Sequence, residues 1–294
     1  MTRGFLPLMQ LDEAGPASWR GPLGDDAGDR IPHGLLVAQA VVAAGRTVDT
    51  DWRWVHAVHA TYLTDGDPAP APVEYRVDRL QDTDHTATRL VRAVQGDRAL
   101  ATVTVAFQAP RRGVGPTHQL DGMGEPPDPH SLPARDVAVG VPIDVRYLDR
   151  APWEPAPGPE AANRMWVRVT EEIPDQVLLH AAAIVFVADL LLVEPVAPPL
   201  TGEWTDLDTG RGLHAVALDL SVRFHRGFRA DDWVLHEHRS PSIAGYRAYS
   251  TGQFYSSMGR LVASVSQETA LLPVAAPGAV TRPVGSSHNG SRGR

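Results

Sequence analysis

The sequence predicts an α+β fold built from two tandem copies of one structural plan. Each half of the chain has a long apolar segment of helical length, followed by four strand-like segments. Short stretches of the two halves align residue by residue, and a stretch rich in Pro and Gly separates them. This duplication predicts two units, each with one long apolar helix wrapped by a curved antiparallel sheet.

In the first half, the helix is predicted over residues 34–44, where Gln39 is the one polar residue. A helix that is apolar nearly all round is expected to be enclosed by protein on most sides. Strands are predicted from segments rich in β-branched and aromatic residues, namely 55–63, 73–80, 86–95 and 99–108. The last of these alternates apolar and polar residues, which is typical of a sheet with one face on a core.

The second half repeats the plan, with a helix predicted over residues 177–192. Its strands are predicted at 213–224, 234–239, 246–255 and 261–271. His-Ala-Val at 56–58 matches His-Ala-Val at 214–216, and residues 98–104 match residues 260–266 in pattern. The repeat therefore provides an internal comparison between equivalent positions.

The predicted organisation has four parts. A first unit spans 1–112, a linker rich in Pro and Gly spans 113–141, and a second unit spans 142–273. Residues 274–294 end in a polar stretch rich in Gly and Ser, which predicts a disordered tail. We expect any chemistry to lie in the second unit, because polar residues interrupt its apolar elements at positions where the first unit has none.

Composition excludes several classes of function. The chain has 294 residues, a formal net charge of -8 and no cysteine. This charge argues against a nucleic-acid interface, and the absence of cysteine excludes disulfides and a catalytic thiol. The longest apolar run, 177–193, contains His180 and Asp189 and is shorter than the roughly 20 residues of a membrane-spanning helix. Since the N-terminus also lacks the apolar segment of a secretory signal, we expect a cytoplasmic protein without a membrane span.

Two positions break the symmetry between the halves. Gln267 aligns with Val105 on the inward face of the last strand, and Asp189 interrupts the second apolar helix. A carboxylate and a carboxamide buried in one unit can together hold and polarise a water molecule. The competing interpretation is a satisfied core Gln and a solvated or capping Asp.

At these positions the sequence resembles the acyl-CoA thioesterase II family, whose members have a double hotdog fold. In the first half the resemblance is carried by the helix start at 33–40, the strand and turn at 55–67, and Ala-Phe-Gln-Ala-Pro at 106–110. In the second half it is carried by residues 188–190, 224–226 and 267–268. Together the similar segments cover about 10–112 and 142–272.

The resemblance implies that Asp189 and Gln267 are catalytic and hold the water that attacks an acyl-CoA thioester. The Ser or Thr of the family falls on Ala217, which has no hydroxyl. Ala217 and Gly34 are expected to bind substrate, with the N–H group of Gly34 as a candidate to polarise the thioester oxygen. We expect no cofactor and no metal site. The resemblance and the general frequency of symmetric oligomers predict a homo-dimer or homo-tetramer.

Several expectations remain open. Ala217 favours an alternative function, either a non-hydrolytic acyl-binding protein or a hotdog enzyme acting on a carrier-bound or polyketide-like acyl substrate. A metal site at His236 and His238, which alternate on one strand, is disfavoured against structural roles. On a regular strand, Asp219 and Ser221 would share the face of Ala217. One water is expected to bridge Asp189 and Gln267.

Overall fold

The computed structural model describes nine segments of the chain. These are residues 4–23, 31–48, 54–66, 72–109, 117–120, 122–134, 142–148, 162–194 and 213–273. The predicted tail at 274–294 lies outside the described residues, as does part of the predicted linker.

The described residues of the first half form two helices and six strands. These are α1 (Phe5–Leu8), β1 (Asp12–Gly15), β2 (Ser18–Gly21), α2 (His33–Gly45), β3 (Trp54–Tyr62), β4 (Val73–Asp82), β5 (Thr86–Gln95) and β6 (Arg98–Gln108). The described residues of the second half form one α-helix and seven strands, preceded by a 3-10 turn at Pro129–Ser131. Its elements are β7 (Ile143–Tyr147), β8 (Ala162–Val169), α3 (Val177–Leu191), β9 (Leu213–Ala217), β10 (Asp219–Phe224), β11 (Val234–Ala244), β12 (Arg247–Ser256) and β13 (Leu261–Pro273).

All thirteen strands belong to one antiparallel sheet. The spatial order is β1-β2-β4-β5-β6-β3-β10-β13-β12-β11-β8-β7, and β9 pairs with β13 beside that path. The two halves meet where β3 pairs with β10, with Val58 opposite Val222. This pairing removes one exposed edge from each half.

The two long helices lie together against the inner face of the sheet. All residues of α2 from Gly34 to Gly45 are buried, as its apolar sequence predicts. The helices are antiparallel, because Gly34 at the start of α2 faces the end of α3 and Gly45 faces Leu178 at its start. A Cβ atom at Gly45 would lie 2.4 Å from a methyl group of Leu178, so the absent side chain permits this close approach.

The α+β class is confirmed, with a large antiparallel sheet and few helices, and most predicted element ends lie within two residues of the observed ones. The strand predicted over 234–239 continues to Ala244. The sequence patterns missed α1 and four strands, β1, β2, β7 and β8. A further difference is that the strand predicted over 213–224 is two strands, interrupted at Leu218. In the described residues, no helix is long and apolar enough to cross a membrane.

Candidate functional site

The carboxylate of Asp189 lies near the end of α3, where that helix meets the first turn of α2. The N–H group of Gly34 donates a hydrogen bond to this carboxylate. A Cβ atom at Gly34 would lie 2.9 Å from the carbonyl oxygen of Phe186 and 3.3 Å from Oδ2 of Asp189. A glycine is therefore needed at this position for the two helices to bring backbone and carboxylate together.

Gln267 reaches the same carboxylate from the sheet. Its side chain is fully buried on the inner face of β13, and its Nε2 donates to Oδ1 of Asp189 at 3.0 Å. The structure therefore brings the two predicted residues together. The contact differs from the expectation, because a donor-acceptor distance of 3.0 Å leaves no space for a water molecule between these two atoms. A water must instead approach Oδ2 or the Gln267 carbonyl oxygen.

Tyr62 is a third member of the site, and the sequence patterns did not predict it. Its hydroxyl donates to Oδ1 of Asp189 at 2.7 Å, and its ring stacks on His33 with centroids 4.2 Å apart. Tyr62 ends β3 of the first half, so it reaches Asp189 only because the two halves are joined. Local sequence periodicity contains no signal of this contact.

The groups around Asp189 have effects of opposite sign on the pKa of its carboxyl. Burial raises the pKa of the Asp189 carboxyl, because a low-dielectric site disfavours the charged form. The hydrogen bonds from Tyr62, Gly34 and Gln267 and the electrostatic effect of the nearby His33 ring lower this pKa without cancelling the effect of burial. A carboxylate with a raised pKa is a stronger base than an exposed one, which suits proton abstraction near neutral pH.

Ala217 lies at the end of β9, on the same face as Gln267. Ala217 pairs with Thr269 of β13, whereas Ser221 pairs with Ser266, so one extra residue is accommodated between the two registers. The Asp219 carboxylate accepts the Glu268 N–H at 2.6 Å within this bulge. The prediction that Asp219 and Ser221 share the face of Ala217 is therefore wrong, because a bulge reverses the alternation of side chains.

Thr269 places a hydroxyl directly opposite Ala217. Paired side chains on adjacent antiparallel strands point to the same face, about 5 Å apart at Cβ. Thr269 is 1% exposed, and its Oγ1 lies 3.5 Å from Oε1 of Gln267. The site thus contains a buried hydroxyl, although it stands on the neighbouring strand.

His236 and His238 share the buried inner face of β11, as their spacing predicts. Their rings lie edge to face with centroids 4.7 Å apart. Among the described residues, no group of three or more His, Asp or Glu side chains is arranged to hold a metal ion.

Comparisons with known proteins relate both halves of the chain to one family. Residues 116–271 match the model for the acyl-CoA thioesterase C-terminal domain, and residues 25–108 match that for the N-terminal domain. An acyl-CoA thioesterase 2 from Haemophilus influenzae is 26% identical over 278 residues, covering 90% of this chain and 95% of that protein. The human acyl-coenzyme A thioesterase 8 is 27% identical, covering 81% and 79%.

Solved structures agree with these matches. The crystal structure of an acyl-CoA thioesterase II from Mycobacterium marinum superimposes with a TM-score of 0.75 at 32% identity, covering 92% of this chain and 98% of that one. A protein of unknown function with a hotdog fold from Alicyclobacillus acidocaldarius is 16% identical with a TM-score of 0.72, which supports the fold alone.

Proposed function

Since the chain belongs to the acyl-CoA thioesterase family, we infer that it hydrolyses acyl-CoA thioesters, and we propose that Asp189 and Gln267 direct the attacking water. The observation that carries the mechanism is the hydrogen bond between these two side chains, which originate 78 residues apart. The alternative of a non-hydrolytic acyl-binding protein is not favoured, because the named relatives are thioesterases.

In the proposed reaction, the Asp189 carboxylate accepts a proton as the water oxygen attacks the thioester carbonyl carbon. The C–S bond then breaks, and the departing thiolate takes the proton that Asp189 accepted, which gives free coenzyme A and a carboxylic acid and restores the Asp189 carboxylate. Gln267 holds the carboxylate through Nε2, which leaves its Oε1 to accept a hydrogen bond from the same water. No covalent acyl-enzyme is required.

Thr269 is proposed to supply the hydroxyl that Ala217 lacks. Its Oγ1 faces Oε1 of Gln267 from the position opposite Ala217, so it can fix the orientation of the carboxamide and contact the same water. In this arrangement the hydroxyl belongs to β13 and not to the paired strand β9. The site then retains the Asp, hydroxyl and Gln groups that the family resemblance implies.

Gly34 is proposed to bind the thioester oxygen through its N–H group. Its N–H group contacts the Asp189 carboxylate, so a substrate oxygen would have to share or replace that contact. Ala217 is proposed to border the substrate, because it is partly buried beside the site.

The proposed architecture is a double hotdog with one unit in each half, joined through β3 and β10. Its support is that each half wraps a sheet around one long helix and that the sheets are continuous across the junction. We place the unit boundaries at 112 and 142, and we propose that the chain associates into a dimer or tetramer. Light scattering of the purified chain measures the oligomeric state.

The function is tested by incubating the purified chain with acyl-CoAs of increasing chain length and measuring release of the free thiol. We expect equal amounts of free thiol and carboxylic acid. A parallel series, with the same acyl groups attached to a carrier protein, measures whether coenzyme A thioesters or carrier-protein thioesters are hydrolysed faster. Saturable binding of acyl-CoA without thiol release would favour the acyl-binding alternative.

A Tyr62→Phe variant tests the contact between the two halves. Because the Tyr62 hydrogen bond lowers the pKa of Asp189, its loss is expected to raise that pKa further. The acidic limb of the kcat/KM profile then moves to higher pH, since a protonated carboxyl cannot act as a base. Tyr249→Phe, on the exposed side of the sheet, is the control and should leave the limb in place. If the acidic limb of Tyr62→Phe stays in place, the Tyr62 hydrogen bond does not influence the pKa of Asp189.

A further inference from the structure

Three buried polar residues on the inner face of the second half lie near a partly buried carboxyl that follows α3. This inner polar cluster consists of Glu194, His236, His238 and Ser250. The two histidines and Ser250 are at most 1% exposed, and the Glu194 side chain is 14% exposed. Ser250 pairs directly with Gln267 on the neighbouring strand, so the cluster begins beside the proposed catalytic centre.

Polar atoms of the cluster lack hydrogen-bond partners. These atoms are Oε2 of Glu194, Nε2 of His236, Oγ of Ser250 and a ring nitrogen of His238, whose other nitrogen faces the backbone carbonyl of Leu191. Glu194 and His238 approach to 3.9 Å between Oε2 and Nε2, which is too long for a hydrogen bond. Each such unsatisfied buried group typically costs about 1–3 kcal/mol, so these atoms favour a ligand that supplies hydrogen-bond partners.

The first half provides an internal comparison. By strand pairing, Tyr75 and Arg89 occupy the positions that correspond to His236 and Ser250. The Tyr75 hydroxyl donates to Gln39, and all three guanidinium nitrogens of Arg89 have acceptors. Among the described residues, side chains with buried polar atoms that lack partners are confined to the second half. Tyr75 and Arg89 are therefore satisfied within the first half, whereas the corresponding His236 and Ser250 each keep a polar atom without a partner.

The cluster is uncharged near neutral pH. Burial raises the pKa of Glu194 to about 8, so this carboxyl is mostly protonated at pH 7. Burial also lowers the pKa of His236 to about 3, and that of His238 well below its ordinary value despite the nearby Leu191 carbonyl. A protonated carboxyl, neutral imidazoles and a hydroxyl can exchange hydrogen bonds with neutral oxygen groups, whereas a charged ligand would lose its solvation without a counterion.

We propose that the inner polar cluster binds oxygen functions on the acyl chain, so that the preferred substrates are hydroxy- or oxo-acyl-CoAs and not plain alkyl ones. This inference rests on the proposed function, because it takes the thioester to lie at Asp189 and Gln267. Within the cluster, Ser250 lies nearest to the thioester position, because it pairs with Gln267. His238 pairs with Gly252, two residues farther along the strand or about 7 Å, so a scan of the oxygen position samples both.

Gly252 creates the space in which the imidazoles lie. A Cβ atom there would approach Cε1 of His236 to 2.6 Å and Cβ of His238 to 3.2 Å. The glycine thus accommodates both rings on the inner face.

The experiment compares decanoyl-CoA with decanoyl-CoAs that carry one hydroxyl at successive carbons, using wild type, Ser250→Ala and His238→Leu. We expect at least one hydroxylated isomer to have a kcat/KM about tenfold above that of decanoyl-CoA, which corresponds to one good hydrogen bond. Ser250→Ala and His238→Leu should each reduce this preference for a different isomer and leave decanoyl-CoA turnover largely unchanged. Ser266→Ala removes a hydroxyl from the opposite face of the sheet and should preserve the preference.

Binding and stability measurements separate the possible outcomes. Non-hydrolysable S-alkyl and S-hydroxyalkyl thioethers of CoA report the same selectivity by calorimetry even if hydrolysis fails, so the inference and the proposed function can fail independently. Equal wild-type affinity for the plain and hydroxylated ligands would overturn the inference. Equal losses for all ligands in Ser250→Ala, with a lowered melting temperature, would also overturn it by assigning the cluster a structural role.

Discussion

Asp189→Asn is expected to lower kcat by about 10²–10⁴-fold, the range that general-base catalysis contributes, while KM changes little. Asn keeps the size of the side chain but cannot accept the proton from water. The loss belongs to the transition state, because ground-state binding of the thioester does not require a base. Steady-state kinetics with a saturating range of acyl-CoA measure the two constants separately.

Measuring the free energy of unfolding shows whether activity is lost because the base is missing or because the variant no longer folds. Because burial raises the pKa of Asp189, the folded state disfavours its ionised form above the ordinary pKa of an Asp. A neutral Asn removes that unfavourable contribution at neutral pH, although it also alters the hydrogen bonds from Tyr62 and Gln267. Asp175→Asn is the matched control, since its carboxylate is 95% exposed just before the same helix. Retained kcat in folded Asp189→Asn would remove Asp189 from the mechanism.

The internal repeat made much of the fold predictable. The long helices and the central strands have strong apolar patterns, and both halves carry them in the same order. The four missed strands are short or lie beside stretches rich in Pro and Gly, where periodicity is weak. Comparing the halves also identified Asp189 and Gln267, because each is a polar residue at a position that the other half fills with an apolar one.

The remainder of the site depends on pairing between distant segments. Tyr62 contacts Asp189 only because β3 of the first half joins β10 of the second. Thr269 faces Ala217 through a register that changes at a bulge, and nothing in the alternation of residues 213–224 signals this change. Local patterns therefore predict elements and buried faces, but not contacts that arise from strand register.

Moving the hydroxyl from Thr269 to position 217 by substitution is expected to show which strand supplies the third polar group of the site. Thr269→Val removes the hydroxyl while nearly preserving shape, and kcat should fall toward the 10²–10³-fold range assigned to one donor at a reacting oxygen. Adding Ala217→Ser to that variant places a hydroxyl on the opposing strand, about 5 Å away at Cβ, and should restore most of the lost kcat.

In the wild-type background, Ala217→Ser should change kcat much less, because Thr269 already provides the hydroxyl. The two substitutions are therefore expected to be strongly non-additive, as for neighbouring groups that serve one function. Thr251→Val, on the opposite face of β12, is the control for a lost Thr hydroxyl and should leave kcat unchanged. If Ala217→Ser instead raises wild-type kcat by about 10²–10³-fold, the native site lacks this donor, and Thr269 does not replace it. If it only narrows the range of acyl groups hydrolysed, Ala217 provides space for the substrate.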